Sequence, residues 1–155
     1  NLVAFLDAPA SEFYEGATRY GRGRFRWDKT VDADTLSQRV AKHYPQVGRV
    51  LSLSPGSRGN SGRIKDIRIR GTKGNATAVG DLHIRRLFGG LRSSLFVVSS
   101  VGSEQRPSAF KFRGAGFGHG VGMCQVGAIG MAEHDKSYQQ ILRHYYSGAT
   151  PKRLY

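Results

Sequence analysis

The 155-residue, 17.0 kDa chain has the length of one ordinary domain, enough to bury about two thirds of the surface its unfolded form exposes. Its 24 Lys+Arg against 11 Asp+Glu give a formal charge of +13, while 39% hydrophobic residues exclude disorder as the main state and no run nears the roughly 18 to 20 apolar residues of a membrane helix. A single cysteine, Cys124, excludes an internal disulfide and a multi-cysteine zinc site, and no cofactor is expected.

The chain begins at Asn1 rather than Met, which we read as a processed chain or a fragment. In the stretch Tyr20-Gly-Arg-Gly-Arg-Phe-Arg-Trp27, Arg22, Arg24 and Arg26 recur with period two. That predicts a strand with one cationic face and Phe25 and Trp27 turned to the core. Leu36, Val40 and Tyr44 at helical spacing, behind Asp32 and Asp34 and ahead of Pro45, predict an amphipathic helix over 32–44. Short extended runs follow at 49–53, 63–70, 77–79, 94–101 and 109–113, with turn chemistry over 54–62 and a short helix over 81–88. Residues 125–134 read as a helix, and Ser137-Tyr-Gln-Gln140 as a capping box opening another. Tyr138, Ile141, Leu142 and Tyr145 share one face of that last helix. The class is α+β: a mixed or antiparallel sheet with a few packed helices, ending in a helical hairpin, within one domain over 1–155.

The most informative stretch is Gly114-Ala-Gly-Phe-Gly-His-Gly-Val-Gly-Met-Cys-Gln125, with glycine at 114, 116, 118, 120 and 122. Read as extended, it projects Ala115, Phe117, His119 and Val121 to one side and leaves bare backbone on the other, where a ligand can approach closely. The dinucleotide pattern G-x-G-x-x-G fails in every register, and no Gly-Lys-Ser/Thr follows, so neither known phosphate-cradling loop is matched. The ladder runs into a helix N-terminus, which places His119 beside unpaired N–H groups as a proton acceptor or hydrogen-bond donor.

The segment Gly116-Phe-Gly-His-Gly-Val-Gly-Met-Cys-Gln-Val-Gly-Ala128, then Met131-Ala132 and Ile141-Leu-Arg-His-Tyr-Tyr-Ser-Gly148, resembles the closing signature of the stage II sporulation protein D family, also called amidase enhancers. Weaker echoes occur at Ser61-Gly-Arg63 and Leu91-Arg-Ser-Ser-Leu-Phe96. The resemblance implies an extracytoplasmic protein of the bacterial envelope that acts on peptidoglycan as a lytic transglycosylase on denuded glycan strands. In that reaction a carboxylic acid protonates the glycosidic oxygen and the sugar's own 6-hydroxyl closes an anhydro ring, so no water is consumed. The family's acid is a glutamate in a Pro-x-Glu-Ala-Leu-Lys-Ala-Gln-like helix, which this sequence lacks; the chain thus resembles the later part of the family domain, with the acid expected upstream.

None of the acids adjoins the ladder in sequence. Cys124 stands where the family typically has serine, and beside His119 at a helix start it could have a lowered pKa and act as a nucleophile. The expected substrate contacts are Gly116, Gly118, His119, Gly120, Gly122, Cys124, Gln125, Tyr146, Arg63 and Arg92, with His119 as a possible catalytic helper and Tyr146 as a sugar-stacking ring. The expected partners are peptidoglycan glycan strands and a cell-wall amidase. Two rival readings are a non-catalytic peptidoglycan-binding or amidase-activating module, and a basic nucleic-acid binder suggested by the net charge and the arginine-aromatic stretch.

Overall fold

The computed structural model describes residues 2–21, 23–148, 150 and 152. Among them lie helices α1 (Leu2–Asp7), α2 (Tyr14–Ala17), α3 (Ala33–Ala41), α4 (Asp81–Leu87), α5 (Gln125–Glu133) and α6 (Tyr138–Tyr145). The strands are β1 (Arg26–Asp32), β2 (Val50–Pro55), β3 (Asp66–Gly71), β4 (Asn75–Val79), β5 (Phe96–Ser103) and β6 (Arg106–Ala115). They form two antiparallel three-stranded sheets, ordered β1-β6-β5 and β2-β3-β4. The α+β class and the pair of C-terminal helices are as expected, with two sheets where one was read. No described helix is long and apolar enough to cross a membrane.

Local chemistry accounts for most element boundaries. Asp32 caps α3, its carboxylate accepting from the N–H groups of Asp34 and Thr35 at 2.9 Å, a contribution of about 1 kcal/mol. That helix ends at Ala41, three residues earlier than expected, because Pro45 opens a separate 3-10 turn to Val47. The core between the sheets and α3–α4 holds Leu36, Val40, Ile67, Ile69, Ile84 and Phe96, with Phe88 stacked on Phe112 at 5.5 Å. These rings and branched chains fix the sheets against each other by burial, at roughly 1.5–3 kcal/mol per large side chain.

The arginine-aromatic stretch is not a strand from Tyr20. Turns occupy it until β1 begins at Arg26, and Arg22 lies outside the described residues. Phe25 and Trp27 do face inward. Arg26, expected on a cationic solvent face, instead sits over the rings of Phe25, Phe5 and Phe13 at 3.9, 4.2 and 5.4 Å and donates to the Phe5 carbonyl at 2.6 Å. Burial pulls its guanidinium below the usual arginine range, against the opposing charge of Glu15. The short N-terminal helices, for which no sequence signal was read, are held to the sheet by this cation–aromatic cluster.

Candidate functional site

The glycine ladder leaves the sheet at the end of β6. Gly114 is still in register, opposite Trp27 and Phe96, and a Cβ there would run into the Trp27 indole. Beyond Ala115 the chain is not an extended strand: Gly116, Gly118, Gly120 and Gly122 have φ of +73°, +85°, +71° and +75°. Every second residue thus occupies a region that L-residues enter at a cost of roughly 1–2 kcal/mol, which is why the alternation is glycine rather than any small residue. The expected one-sided display is replaced by a coil that leaves Phe117 71% and Val121 76% exposed, with His119 exposed between them.

The coil is pinned from several elements. Trp27 Nε1 donates to the Gly116 carbonyl at 3.0 Å, Gly116 N–H donates to the Phe25 carbonyl at 2.8 Å, and Gly118 N–H donates to the Arg92 carbonyl at 2.8 Å. Buried Ser93 donates its hydroxyl to the Ala115 carbonyl at 2.6 Å. His119 Nδ1 accepts from Val121 N–H at 3.0 Å, so the neutral ring carries its proton on Nε2. At the far end, the Tyr146 hydroxyl accepts from Met123 N–H at 3.3 Å and lies close to Gly122.

Arg63 lies across the coil. A Cβ on Gly120 would collide with its guanidinium, and one on Gly116 would touch it at 3.4 Å. Its Nε is buried without a hydrogen-bond partner among the described residues. Burial lowers its pKa, opposed by the charges of Asp81 and Cys124 and assisted by Arg85. Arg92 serves differently: its carbonyl holds the coil while its guanidinium donates to the Gly23 carbonyl.

Cys124 caps α5, its sulfur accepting from Gly127 N–H at 3.4 Å. Although the residue as a whole is exposed, its thiol is turned to the helix, and burial pushes the pKa up, with Glu15 adding to the rise and the Gly127 hydrogen bond opposing it. This is opposite in direction to the lowered value an activated nucleophile requires. Gln125 stands exposed at the first turn of α5.

An acid does adjoin the site in space. Glu15, on α2, has its carboxylate against Gly127: a Cβ there would meet Oε1 at 2.9 Å and would also strike the Tyr145 hydroxyl. At Gly130 the same α5 face meets the backbone of Tyr14. Two glycines one turn apart therefore let α2 reach α5 closely and carry Glu15 to the end of the ladder. The Tyr145 hydroxyl, pushed up to about 12 by burial with Glu15 and Cys124 adding to the shift, joins this cluster. On α6, Ile141, Leu142 and Tyr145 are partly buried while Tyr138 is 66% exposed, so the expected face is only partly used. Sequence reading missed Glu15 and Trp27 as an anchor, whose contacts join segments about ninety to a hundred and ten residues apart, and Tyr145, on the helix after α5, as a neighbour of Cys124. Among the described residues no group of three or more His, Cys, Asp or Glu side chains could hold a metal.

A family model described as a domain of unknown function (DUF8618) matches residues 1–122. The chain belongs to the DUF8618 family. Shorter segments of this DUF8618 chain are similar to curated proteins. An uncharacterized protein of Brachyspira hyodysenteriae (strain ATCC 49526 / WA1) is 63% identical over 35 residues, covering 23% of this chain and 10% of that protein. The amidase enhancer of Bacillus subtilis (strain 168) is 40% identical over 58 residues, 37% of this chain and 8% of its own length. Stage II sporulation protein D of Bacillus amyloliquefaciens is 64% identical over 33 residues, 21% of this chain and 10% of its own. The matches thus span a tenth or less of these relatives' length. Two of the three carry the names that the closing signature suggested.

Proposed function

We propose that residues 1–155 form the later, glycan-binding part of a peptidoglycan domain that cleaves denuded strands as a lytic transglycosylase in the bacterial envelope. The observation that carries this reading is the pinned coil over 116–124. It leaves the backbone open at Gly118 and the Phe117 ring exposed. The half-buried Arg63 guanidinium, packed across Gly120, and the exposed Tyr146 ring, whose hydroxyl lies against Gly122, are brought to it from elsewhere in the chain. Aromatic rings suit sugar faces, peptide groups suit hydroxyl and N-acetyl groups, and a guanidinium suits the lactyl carboxylate of a muramic sugar. The names of the amidase enhancer and stage II sporulation protein D relatives support a wall substrate. In this reading Gly116, Gly118, Gly120, Gly122 and Gln125 line the groove, His119 is a hydrogen-bonding helper through Nε2, and the general acid belongs to the family's glutamate motif, which these residues lack.

The test is mass spectrometry of denuded glycan strands after incubation with the full-length protein and with residues 1–155 alone. Anhydro-muramyl products are expected from the first and none from the second. Products from the isolated chain, abolished by Glu15→Gln, would transfer the acid's role to Glu15. Retention on insoluble peptidoglycan with no products from either protein would favour a binding or amidase-activating module instead.

A further inference from the structure

The solvent face of the β2-β3-β4 sheet takes no part in that reading. Arg68 and Arg70 project from the same side of β3, two residues apart, and both are exposed. The register sets Ser54 and Thr77 opposite Arg68, and Ser52 and Asn75 opposite Arg70. Two cations therefore run down the middle strand, flanked on each side by a hydroxyl or an amide, while Ile67, Ile69 and Ala78 turn into the core. A shallow, open groove of about 550 Å³ lies over the sheet, lined by these polar residues together with Ile69 and Ala76. Arg70 Nε donates to Ser52 Oγ at 3.2 Å, and Arg68 makes no hydrogen bond or close ion pair among the described residues. The acid in the same row, Asp66, accepts from the Ser57 hydroxyl and from the Ser57 N–H, the latter at 3.1 Å, and these bonds hold its pKa below the usual range, with the nearby Arg68 charge acting in the same direction.

We propose that this sheet face binds an anionic polyol-phosphate chain of the teichoic-acid type, laid along β3. Residues two apart on a strand stand about 7 Å from each other, a spacing suited to successive phosphates separated by a short polyol. Each guanidinium can grip a phosphate bidentately, and the flanking Ser52, Ser54, Thr77 and Asn75 side chains suit polyol hydroxyls. No aromatic ring lines the groove, so nucleic-acid bases find no stacking platform there. The formal charge of +13 draws a polyanion towards the molecule, and the two arginines give it a place to sit. The choice of a wall polymer rests on the envelope reading above; the binding measurement does not read glycan cleavage, so either can fail without the other.

The experiment is calorimetric titration of the 155-residue chain with delipidated poly(glycerol phosphate) at several salt concentrations, beside a single-stranded oligonucleotide of matched charge. Saturable binding is expected, weakened at least tenfold by the R68Q/R70Q pair. The slope of log affinity against log salt should fall by roughly 1–2, as it would when two phosphate contacts are lost. The charge-matched R86Q/K111Q pair, which lies outside the groove, should stay within twofold of the parent. Circular dichroism confirms that each variant is folded. Absence of saturable binding, equal loss from both pairs, or an oligonucleotide that binds as tightly and is weakened by the same pair would each overturn the assignment.

Discussion

Gly118→Ala and Gly120→Ala form a pair of perturbations that separate backbone strain from the Arg63 contact. Both glycines have positive φ, +85° and +71°, so an alanine at either place incurs the same strain of roughly 1–2 kcal/mol. Alanine also narrows the unfolded ensemble, which offsets about 0.4–1 kcal/mol at both sites alike. Their surroundings differ: a Cβ at Gly118 meets nothing within 4 Å, whereas at Gly120 it occupies the place of the Arg63 guanidinium. Gly120→Ala must therefore also expel that group, and a further cost of about 1 kcal/mol is expected. For a domain of this size each kcal/mol moves the melting temperature by about 2–4 °C. Denaturant melts of both variants, alone and combined with Arg63→Ala, form a double-mutant cycle. The excess of Gly120→Ala over Gly118→Ala should vanish in the Arg63→Ala background. Equal costs for the two glycines, or an excess that survives removal of Arg63, would refute the packing of this arginine across the coil.

Trp27→Phe keeps the buried ring but removes the Nε1 donor to the Gly116 carbonyl; a loss of about 1 kcal/mol is expected, with faster amide exchange confined to the coil, and unchanged exchange there would contradict the anchor. Because burial raises the Cys124 thiol, its alkylation rate should still be climbing at pH 9, and a plateau below pH 8 would show that the thiol is not held as described. Glu15 contributes to the raised Tyr145 pKa, so Glu15→Gln should lower the value from about 12 in an ultraviolet titration of phenolate. Since that folded-state value lies above tyrosine's ordinary one near 10, the linked stability is present below pH 10 and lost as pH rises through 12.

The helices that carry their own stop and start signals were legible in the sequence. Asp32 at the start of α3 and Ser137 with Gln140 at the start of α6 are caps whose hydrogen bonds span only a few residues, so local spacing reveals them. The ladder stood out in the sequence as a pattern, but its conformation did not. Period two suggests a strand when apolar and polar residues alternate, but glycine has no side chain to bury, and here it marks residues of positive φ. The helices α1 and α2 escaped because they are six and four residues long and owe their placement to Arg26, Gly127 and Gly130, far off in sequence. For the same reason Glu15 read as an ordinary exposed acid; only the close approach of α2 to α5 brings it to Cys124 and Tyr145.

The coil also separates two kinds of information along one strand of polypeptide. Its even positions, 116 to 122, hold the path of the backbone, and its odd positions include Phe117 and Val121, which project freely. Path and recognition can then vary independently: side chains at 117 and 121 can be exchanged while the glycines keep the scaffold in place. A library randomised at those two sites should retain the parent's fold in most members and, under the proposed function, should differ in which glycans it holds.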